Sequence, residues 1–113
     1  MGTHEYVEDP RNASIKIYIN GQYLPREQAL VSVFDSGFIL GDGVWEGLRV
    51  YDGHPVFLDD HLSRLYEGAK AIALDIGLSR AELHEAIYQT LAINGMHGDG
   101  VHIRLMVTRG MNW

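Results

Sequence analysis

The chain is predicted to fold as an α+β domain in which an antiparallel sheet of hairpins is covered by two helices, as a two-layer sandwich. Three observations predict this class. Apolar residues alternate along three stretches, Asn-Gly and Asp-Gly dipeptides follow the first two, and two later stretches repeat apolar residues at helical spacing. The 113 residues, 46% of them hydrophobic, can supply one packed core without cross-links, and we place this domain at residues 15–113.

The first hairpin is predicted after an N-terminal arm. Residues 1–14 mix charges with a proline and show no periodicity, so we expect a flexible arm. Residues 15–19 alternate as a half-buried strand, which Asn20-Gly21 turns back into residues 22–24 before Pro25 ends the pairing.

The segment from Pro25 to Gly43 is apolar without a clean period. Leucines, valines and phenylalanines occur in it beside three glycines. Such a segment usually packs against something, so we expect an ordered, partly buried loop.

The central strand is predicted from Val44 to Tyr51, followed by an Asp52-Gly53 turn. Its alternation places one set of residues on the core face, namely Val44, Glu46, Leu48 and Val50, and another on the opposite face, namely Trp45, Gly47, Arg49 and Tyr51. Val56 and Phe57 are expected to pair back before Asp59 or Asp60 caps a helix, with Arg64 one turn in. Because Glu46 falls on the core face, it needs a partner such as Arg49 or Arg109.

Two helices and a last strand complete the prediction. Apolar spacing predicts a helix over residues 60–76 that stops at Gly77. Ser79 and Glu82 form a capping box for a second helix, with Gly95 at its end. Residues 101–108 alternate as a strand whose core set is Val101, Ile103, Leu105 and Val107 and whose other set is His102, Arg104, Met106 and Thr108. Trp45, Arg49, Tyr51 and the second set are expected to line one concave surface.

Composition excludes several classes of function. The net charge of −6 provides no broad basic surface for nucleic acid or an anionic membrane. The absence of cysteine excludes disulfides and thiolate metal sites and fits a reducing cytoplasm. No stretch approaches a membrane span or a signal peptide, and the histidines lack metal-ligand spacing.

The central stretch carries a family resemblance, because it reads GDGVWEGLRVYDG and is followed by FLDDHLSRL. This order of turn, strand, turn and helix resembles the N-terminal domain of class IV, or fold-type IV, aminotransferases, which use pyridoxal 5′-phosphate. The resemblance covers roughly residues 15–110, and within class IV the chain is most similar to the branched-chain aminotransferases. It implies that Arg64, the arginine of H-L-x-R-L, contacts the cofactor phosphate, with His61 as a weaker candidate.

The resemblance also implies substrate-binding residues. The family's Tyr-Ile-Arg segment on the last strand, which helps to hold substrate carboxylates, reads His102-Ile103-Arg104 here. Arg104 keeps the family residue, and His102 departs from it. Trp45 aligns with the aromatic that walls the substrate pocket.

Transamination also needs a lysine for the Schiff base, and neither lysine of this chain, Lys16 or Lys70, matches the family position. We therefore expect no catalytic residue here, and we expect the lysine in a C-terminal domain outside this chain. The resemblance further implies a cytoplasmic homodimer that moves an amino group from an amino acid, branched-chain in type, to a 2-oxo acid.

Three alternatives stay open. If the family resemblance is set aside, Arg64 is expected to form an ordinary exposed ion pair with Asp60, four residues earlier. An aminodeoxychorismate lyase, which eliminates pyruvate, would share the fold. A non-catalytic interaction domain would present the face of Trp45, Tyr51 and Arg104 to a partner.

Overall fold

The computed structural model describes residues 8–111, and the chain divides between Leu30 and Val31 into two compact units. The first unit contains an antiparallel hairpin of β1 (Lys16–Ile19) and β2 (Gln22–Pro25). Asn20 and Gly21 take positive φ angles of 51° and 86°, which confirms the predicted turn.

The predicted flexible arm lies partly outside the described residues, since these begin at Glu8. In the part of the arm that is described, Pro10–Asn12 forms one 3₁₀ turn. The Asp9 side chain caps the start of this turn by accepting a hydrogen bond from the Arg11 backbone N–H. A second 3₁₀ turn, Arg26–Gln28, follows the hairpin.

The second unit holds the remaining elements: α1 (Ser36–Leu40), β3 (Gly43–Tyr51), β4 (His54–Pro55), α2 (Leu58–Ala71), α3 (Arg80–Asn94) and β5 (His102–Thr108). Its sheet has the order β4-β3-β5, antiparallel throughout, with Leu48 opposite Ile103. The predicted α+β class with antiparallel strands is confirmed. The strands form two sheets rather than one, because the first hairpin pairs only within itself among residues 8–111.

The core lies between the β3-β5 sheet and helices α2 and α3. Leu48 of β3 is fully buried and clusters with leucines and an isoleucine of the two helices, namely Leu58, Leu62, Leu65, Leu83 and Ile87. Ile103, Leu105 and Val107 of β5 pack against the same cluster. The predicted core faces of both strands and of α3 are therefore confirmed, and the two helices cover one sheet face.

The predicted limits of the first long helix are wrong at both ends. It begins at Leu58, after Phe57 in the left-handed region at φ 55°, so Asp59 and Asp60 lie in the first turn and neither is the cap. Arg64 consequently lies in the second turn. The helix ends at Ala71, because the backbone turns into the left-handed region at Ala73 (φ 55°) and the Leu74 N–H bonds back to the Ala69 carbonyl. The Arg109 guanidinium donates to the carbonyls of Ile72 and Ala73 beyond this end.

The limits of α3 match the prediction. The Ser79 hydroxyl accepts from the Glu82 backbone N–H at 3.1 Å, and the Glu82 carboxylate accepts from the Ser79 N–H at 2.9 Å. Gly95 ends the helix in the left-handed conformation at φ 59°.

The segment between β2 and β3 was predicted as an ordered, partly buried loop, and its large apolar side chains are more exposed than that prediction implies. It contains the short helix α1, which Asp35 caps through the Gly37 N–H. Seven of its large apolar side chains are between 42% and 75% exposed: Leu30, Val31, Val33, Phe34, Phe38, Ile39 and Leu40. Apolar composition alone predicted partial burial. The side chains of this segment that belong to the second unit are nevertheless exposed, because no described residue of that unit covers them.

Candidate functional site

A buried carboxylate occupies the covered face of β3. Glu46 is 4% exposed and lies between the core residues Val44 and Leu48 on that face. An ionised carboxylate is costly to bury unless it is paired and hydrogen-bonded. Its partners come from α2: Arg64 donates from Nε at 2.9 Å to one oxygen and from Nη2 at 2.7 Å to the other, and His61 Nδ1 lies 2.6 Å from the second oxygen.

Hydrogen bonds favour the charged forms of Glu46 and Arg64. The hydrogen bond from Arg64 lowers the pKa of Glu46, burial opposes that shift, and the hydrogen bond with His61 adds to it. The same hydrogen bond raises the pKa of Arg64 above its already high ordinary value. Because an ionised carboxylate can only accept, Nδ1 of His61 carries the proton in this contact.

The partner predicted for Glu46 from the sequence is therefore wrong. Arg109 binds Asp42 instead, at 2.7 Å, and Arg49 lies on the opposite face of β3. The ion pair of Arg64 with Asp60 is also absent among the described residues, since the carboxylate bonded to Arg64 is Glu46. The sequence signal that pointed to a partner was a carboxylate at a core position, but it could not identify α2 as the source.

Arg64 presents one side of its guanidinium outward. Its side chain is 72% exposed although Nε and Nη2 are tied to Glu46, and Nη1 has no hydrogen-bond partner within residues 8–111. An open recess of about 430 Å³ adjoins it, lined by Phe57, Asp60, His61 and Arg64. This corner, which we call the Arg64 recess, can offer N–H donors to an anion. No residue of β5 lines it.

The opposite face of the sheet, which we call the open face, carries the other predicted site residues. The Arg104 guanidinium lies 4.0 Å from the centre of the Trp45 ring, a cation–π contact. His102 stands over Gly47, where a Cβ atom would lie 3.1 Å from its Nε2. The structure thus brings Trp45, His102 and Arg104 together, as the sequence predicted.

The Arg64 recess and the open face lie on opposite sides of one sheet, in which part of β3 has an unpaired edge. Strand β4 pairs only with Val50 and Tyr51, so the edge of β3 from Gly43 to Leu48 has no neighbouring strand within the described residues. Val50 bonds across to Val101 on the β5 side, and alternation therefore directs the backbone groups of Trp45 and Gly47 to the unpaired edge.

A second cavity, of about 360 Å³, opens near the far end of the open face. Its lining includes Arg49, Tyr51, Asp99 and His102. The sequence analysis placed Arg49, Tyr51 and His102 on this face and did not identify Asp99, for which the loop sequence carried no signal.

Neither lysine lies in these sites. Lys16 belongs to β1 in the first unit, and Lys70 is exposed in the last turn of α2. Within the described part of the chain no three His, Asp or Glu side chains group as a metal site, and no helix there is long and apolar enough to cross a membrane.

Comparison with known families decides the class of this site. The sequence pattern of the family described as Amino-transferase class IV matches residues 43–112, which contain both the Arg64 recess and the open face. The chain belongs to the class IV aminotransferases. The resemblance seen in the sequence is thereby confirmed.

Several curated relatives of this class IV aminotransferase chain have branched-chain names. It is 52% identical over 101 residues to the branched-chain-amino-acid aminotransferase-like protein 1 of Arabidopsis thaliana, a match that covers 89% of this chain and 18% of that protein. It is 44% identical to a putative branched-chain-amino-acid aminotransferase of Methanocaldococcus jannaschii, a match that covers 86% of this chain and 33% of that protein. The chain thus spans a third or less of the length of these relatives.

Relatives with other reactions also match. The chain is 34% identical both to a D-alanine aminotransferase of Staphylococcus haemolyticus and to an aminodeoxychorismate lyase of Bacillus subtilis. Among solved structures, the T.th. branched-chain amino acid aminotransferase with pyridoxamine 5′-phosphate superposes with a TM-score of 0.79 at 31% identity, covering 88% of this chain and 33% of that one. The fold class is confirmed by this likeness.

Proposed function

We propose that this chain supplies the cofactor-phosphate contact and one wall of the substrate site of a pyridoxal-phosphate-dependent aminotransferase. The observation that carries the proposal is the state of Arg64. Two of its nitrogens are tied to a buried carboxylate, and its remaining edge faces an open recess. A phosphate monoester, with a charge near −2, is well matched to a guanidinium donor that stays ionised.

The residues of the recess fit the phosphate end of the cofactor. Nη1 of Arg64 is available as a donor, and the ring of Phe57, 72% exposed, supplies apolar surface beside it. The carboxylate of Asp60 also lines the recess and opposes an anion, so the fit depends on Arg64. A relative solved with pyridoxamine 5′-phosphate supports the same cofactor class.

The chemistry divides between the cofactor and this chain. When bound, pyridoxal 5′-phosphate supplies the electron sink that lets an amino group leave an amino acid and pass to a 2-oxo acid. Arg64 would hold the phosphate, Arg104 the substrate carboxylate, and Trp45 one wall of the side-chain pocket. Because Arg104 rests on the Trp45 ring, its guanidinium plane is orientated before a carboxylate arrives.

An amino acid with a branched apolar side chain is the substrate we propose. The support is the branched-chain name of relatives at 52% and 44% identity, together with an arginine at position 104. His102 departs from the family tyrosine, so its contribution to carboxylate binding is a separate proposal. The catalytic lysine would come from a region outside this chain, and the protein would act as a cytoplasmic homodimer.

A second candidate is an aminodeoxychorismate lyase. The match to the Bacillus subtilis lyase and a TM-score of 0.59 at 41% identity to the enzyme of Pseudomonas aeruginosa, over 75% of this chain and 29% of that one, favour it. Incubation of the full-length protein with aminodeoxychorismate separates the two reactions. Release of pyruvate without consumption of a 2-oxo acid would contradict the transaminase proposal.

Arg64→Ala in the full-length protein tests the central assignment. Loss of a charge-assisted hydrogen bond is expected to weaken pyridoxal 5′-phosphate binding by about 10- to 100-fold, measured by absorbance titration of the apoprotein. Arg80→Ala is the matched control, because Arg80 is also an exposed guanidinium and bonds to the Asp59 carbonyl and the Ser63 hydroxyl of α2. Unchanged cofactor affinity in Arg64→Ala would contradict the proposal.

A further inference from the structure

We infer that Glu46 is a positioning residue, which holds the Arg64 guanidinium in the orientation that receives the cofactor phosphate. This inference rests on the proposed function, since it assigns to Arg64 the phosphate contact. It goes further by giving a role to a buried acid that does not itself line the Arg64 recess.

The contacts restrict Arg64 to one orientation. Both oxygens of Glu46 accept from it, at 2.9 Å from Nε and at 2.7 Å from Nη2, so the plane of the guanidinium is set and not only its position. The carboxylate in turn cannot rotate freely, because it is buried and its Oε1 also contacts Nδ1 of His61 at 2.6 Å.

This restriction matters because Arg64 is otherwise exposed. A long side chain that is 72% exposed samples many rotamers, and a ligand that binds it must order them. Here two hydrogen bonds to a buried carboxylate order the side chain before the ligand arrives. Ordering an arginine side chain in advance corresponds to about a 10- to 30-fold gain in affinity.

If only its charge mattered, Glu46 would weaken phosphate binding at Arg64 instead of strengthening it. A carboxylate close to Arg64 repels a phosphate dianion and weakens the field of the arginine, so its removal should strengthen phosphate binding. Positioning predicts that its removal weakens binding. The sign of the change therefore separates the two roles.

The experiment compares Glu46→Gln with Asp60→Asn in the full-length apoprotein. Both variants remove one negative charge near Arg64, but only Glu46 is bonded to it. Dissociation constants are measured for pyridoxal 5′-phosphate and for pyridoxal, which lacks the phosphate, by absorbance titration. We expect Glu46→Gln to bind pyridoxal 5′-phosphate about 10-fold more weakly with pyridoxal unchanged, and Asp60→Asn to bind it equally or more tightly.

A double-mutant cycle shows whether Glu46 acts through Arg64. In an Arg64→Ala background, Glu46→Gln should cause no further loss of pyridoxal 5′-phosphate affinity. Equal weakening for pyridoxal 5′-phosphate and pyridoxal, or the same loss in both backgrounds, would show a merely structural role and overturn the inference. Unchanged or tighter binding in Glu46→Gln alone would also overturn it.

His61 provides a second test that avoids altering the buried acid. His61→Asn keeps a donor near the position of Nδ1 and should retain affinity, whereas His61→Leu removes it and should weaken only the phosphate-bearing ligand. Equal affinities in the two variants would overturn the role of this contact. These failures leave the proposed function intact, which falls instead if Arg64→Ala itself has no effect.

Discussion

The two faces of strand β3 differ in almost every property although they alternate residue by residue. On the covered face, Leu48 and Val50 are 0% and 3% exposed beneath the two helices. On the open face, Trp45 and Tyr51 are 56% and 69% exposed and lie among arginines and a histidine. A strand with one buried face is expected to show this contrast, but a plain solvent face is not expected to combine Trp, Arg and His.

Under the proposed function, stability and ligand recognition are divided between the two faces, and one residue contributes to both. Glu46 occupies a core position, yet it anchors an exposed arginine. The covered face therefore determines more than packing, since it also sets the geometry of the Arg64 recess. Substitutions on the two faces should accordingly separate effects on stability from effects on ligand binding.

The largest contrast is expected between Leu48→Ala and Met106→Ala. Leu48 is fully buried, so truncation leaves a cavity and should lower the free energy of unfolding by about 2–5 kcal/mol. Met106, which is 60% exposed on the open face, should cost about 0.5 kcal/mol when truncated. Urea denaturation measures both, and comparable losses would contradict the division between the faces.

Two glycines of β3 provide a second contrast. A Cβ at Gly43 would lie 2.5 Å from the Val107 carbonyl oxygen, so Gly43→Ala must push apart β3 and β5 and should cost about 1–3 kcal/mol. At Gly47 the nearest atom belongs to the exposed His102 ring, 3.1 Å away, which can rotate aside. Gly47→Ala should therefore cost less than about 1 kcal/mol and act mainly on substrate affinity. Urea denaturation of the two variants measures the contrast, and a larger unfolding cost at Gly47 than at Gly43 would show that His102 is held rigidly.

A smaller effect should appear in acid. The pKa of Glu46 is lowered from 4.5 in the folded chain, chiefly by its bond from Arg64, so the folded state binds fewer protons than the unfolded state. The stabilisation from Glu46 is therefore complete above pH 4.5 and is lost as pH falls through the lower, folded pKa.

Glu46→Gln should consequently show a flatter decline in the free energy of unfolding between neutral pH and about pH 3. The matched control is Glu67→Gln, an exposed position on helix α2, which should keep the slope of the unaltered protein. Parallel acid limbs for Glu46→Gln and the unaltered protein would argue against an ionised, bonded Glu46.

The smallest effect concerns the contact of Trp45 with Arg104. A cycle of Trp45→Leu, Arg104→Met and the double variant should give a coupling free energy of about 0.5–1 kcal/mol, because the cation–π contact is exposed. The same cycle with Arg49, which has no cation–π contact with Trp45 among the described residues, should give a coupling near zero. Equal couplings would mean that the open face acts through net charge rather than through specific contacts.

Much of the architecture was predictable because it depends on local patterns. Asn20-Gly21 and Asp52-Gly53 adopt the positive φ angles that their turns require, and Ser79 with Glu82 forms its capping box. The limits of α2 were not predictable, because they depend on Phe57 and Ala73, two non-glycine residues that adopt left-handed angles. The segment around α1 was predicted as partly buried, but its large apolar side chains are exposed, since apolar character does not indicate which surface will cover them.

The sequence by itself determined the family and the alternation of β3 and β5, and with that alternation the presence of Trp45, His102 and Arg104 on one face. These features were predictable because periodicity and short motifs depend only on residues that are close in sequence. Only the tertiary structure decided that Arg64 bonds to Glu46 rather than to Asp60, and that the Arg64 recess excludes β5. The reason is physical: residues 46 and 64 are 18 positions apart, and the partner of a buried charge is chosen by which helix packs over it.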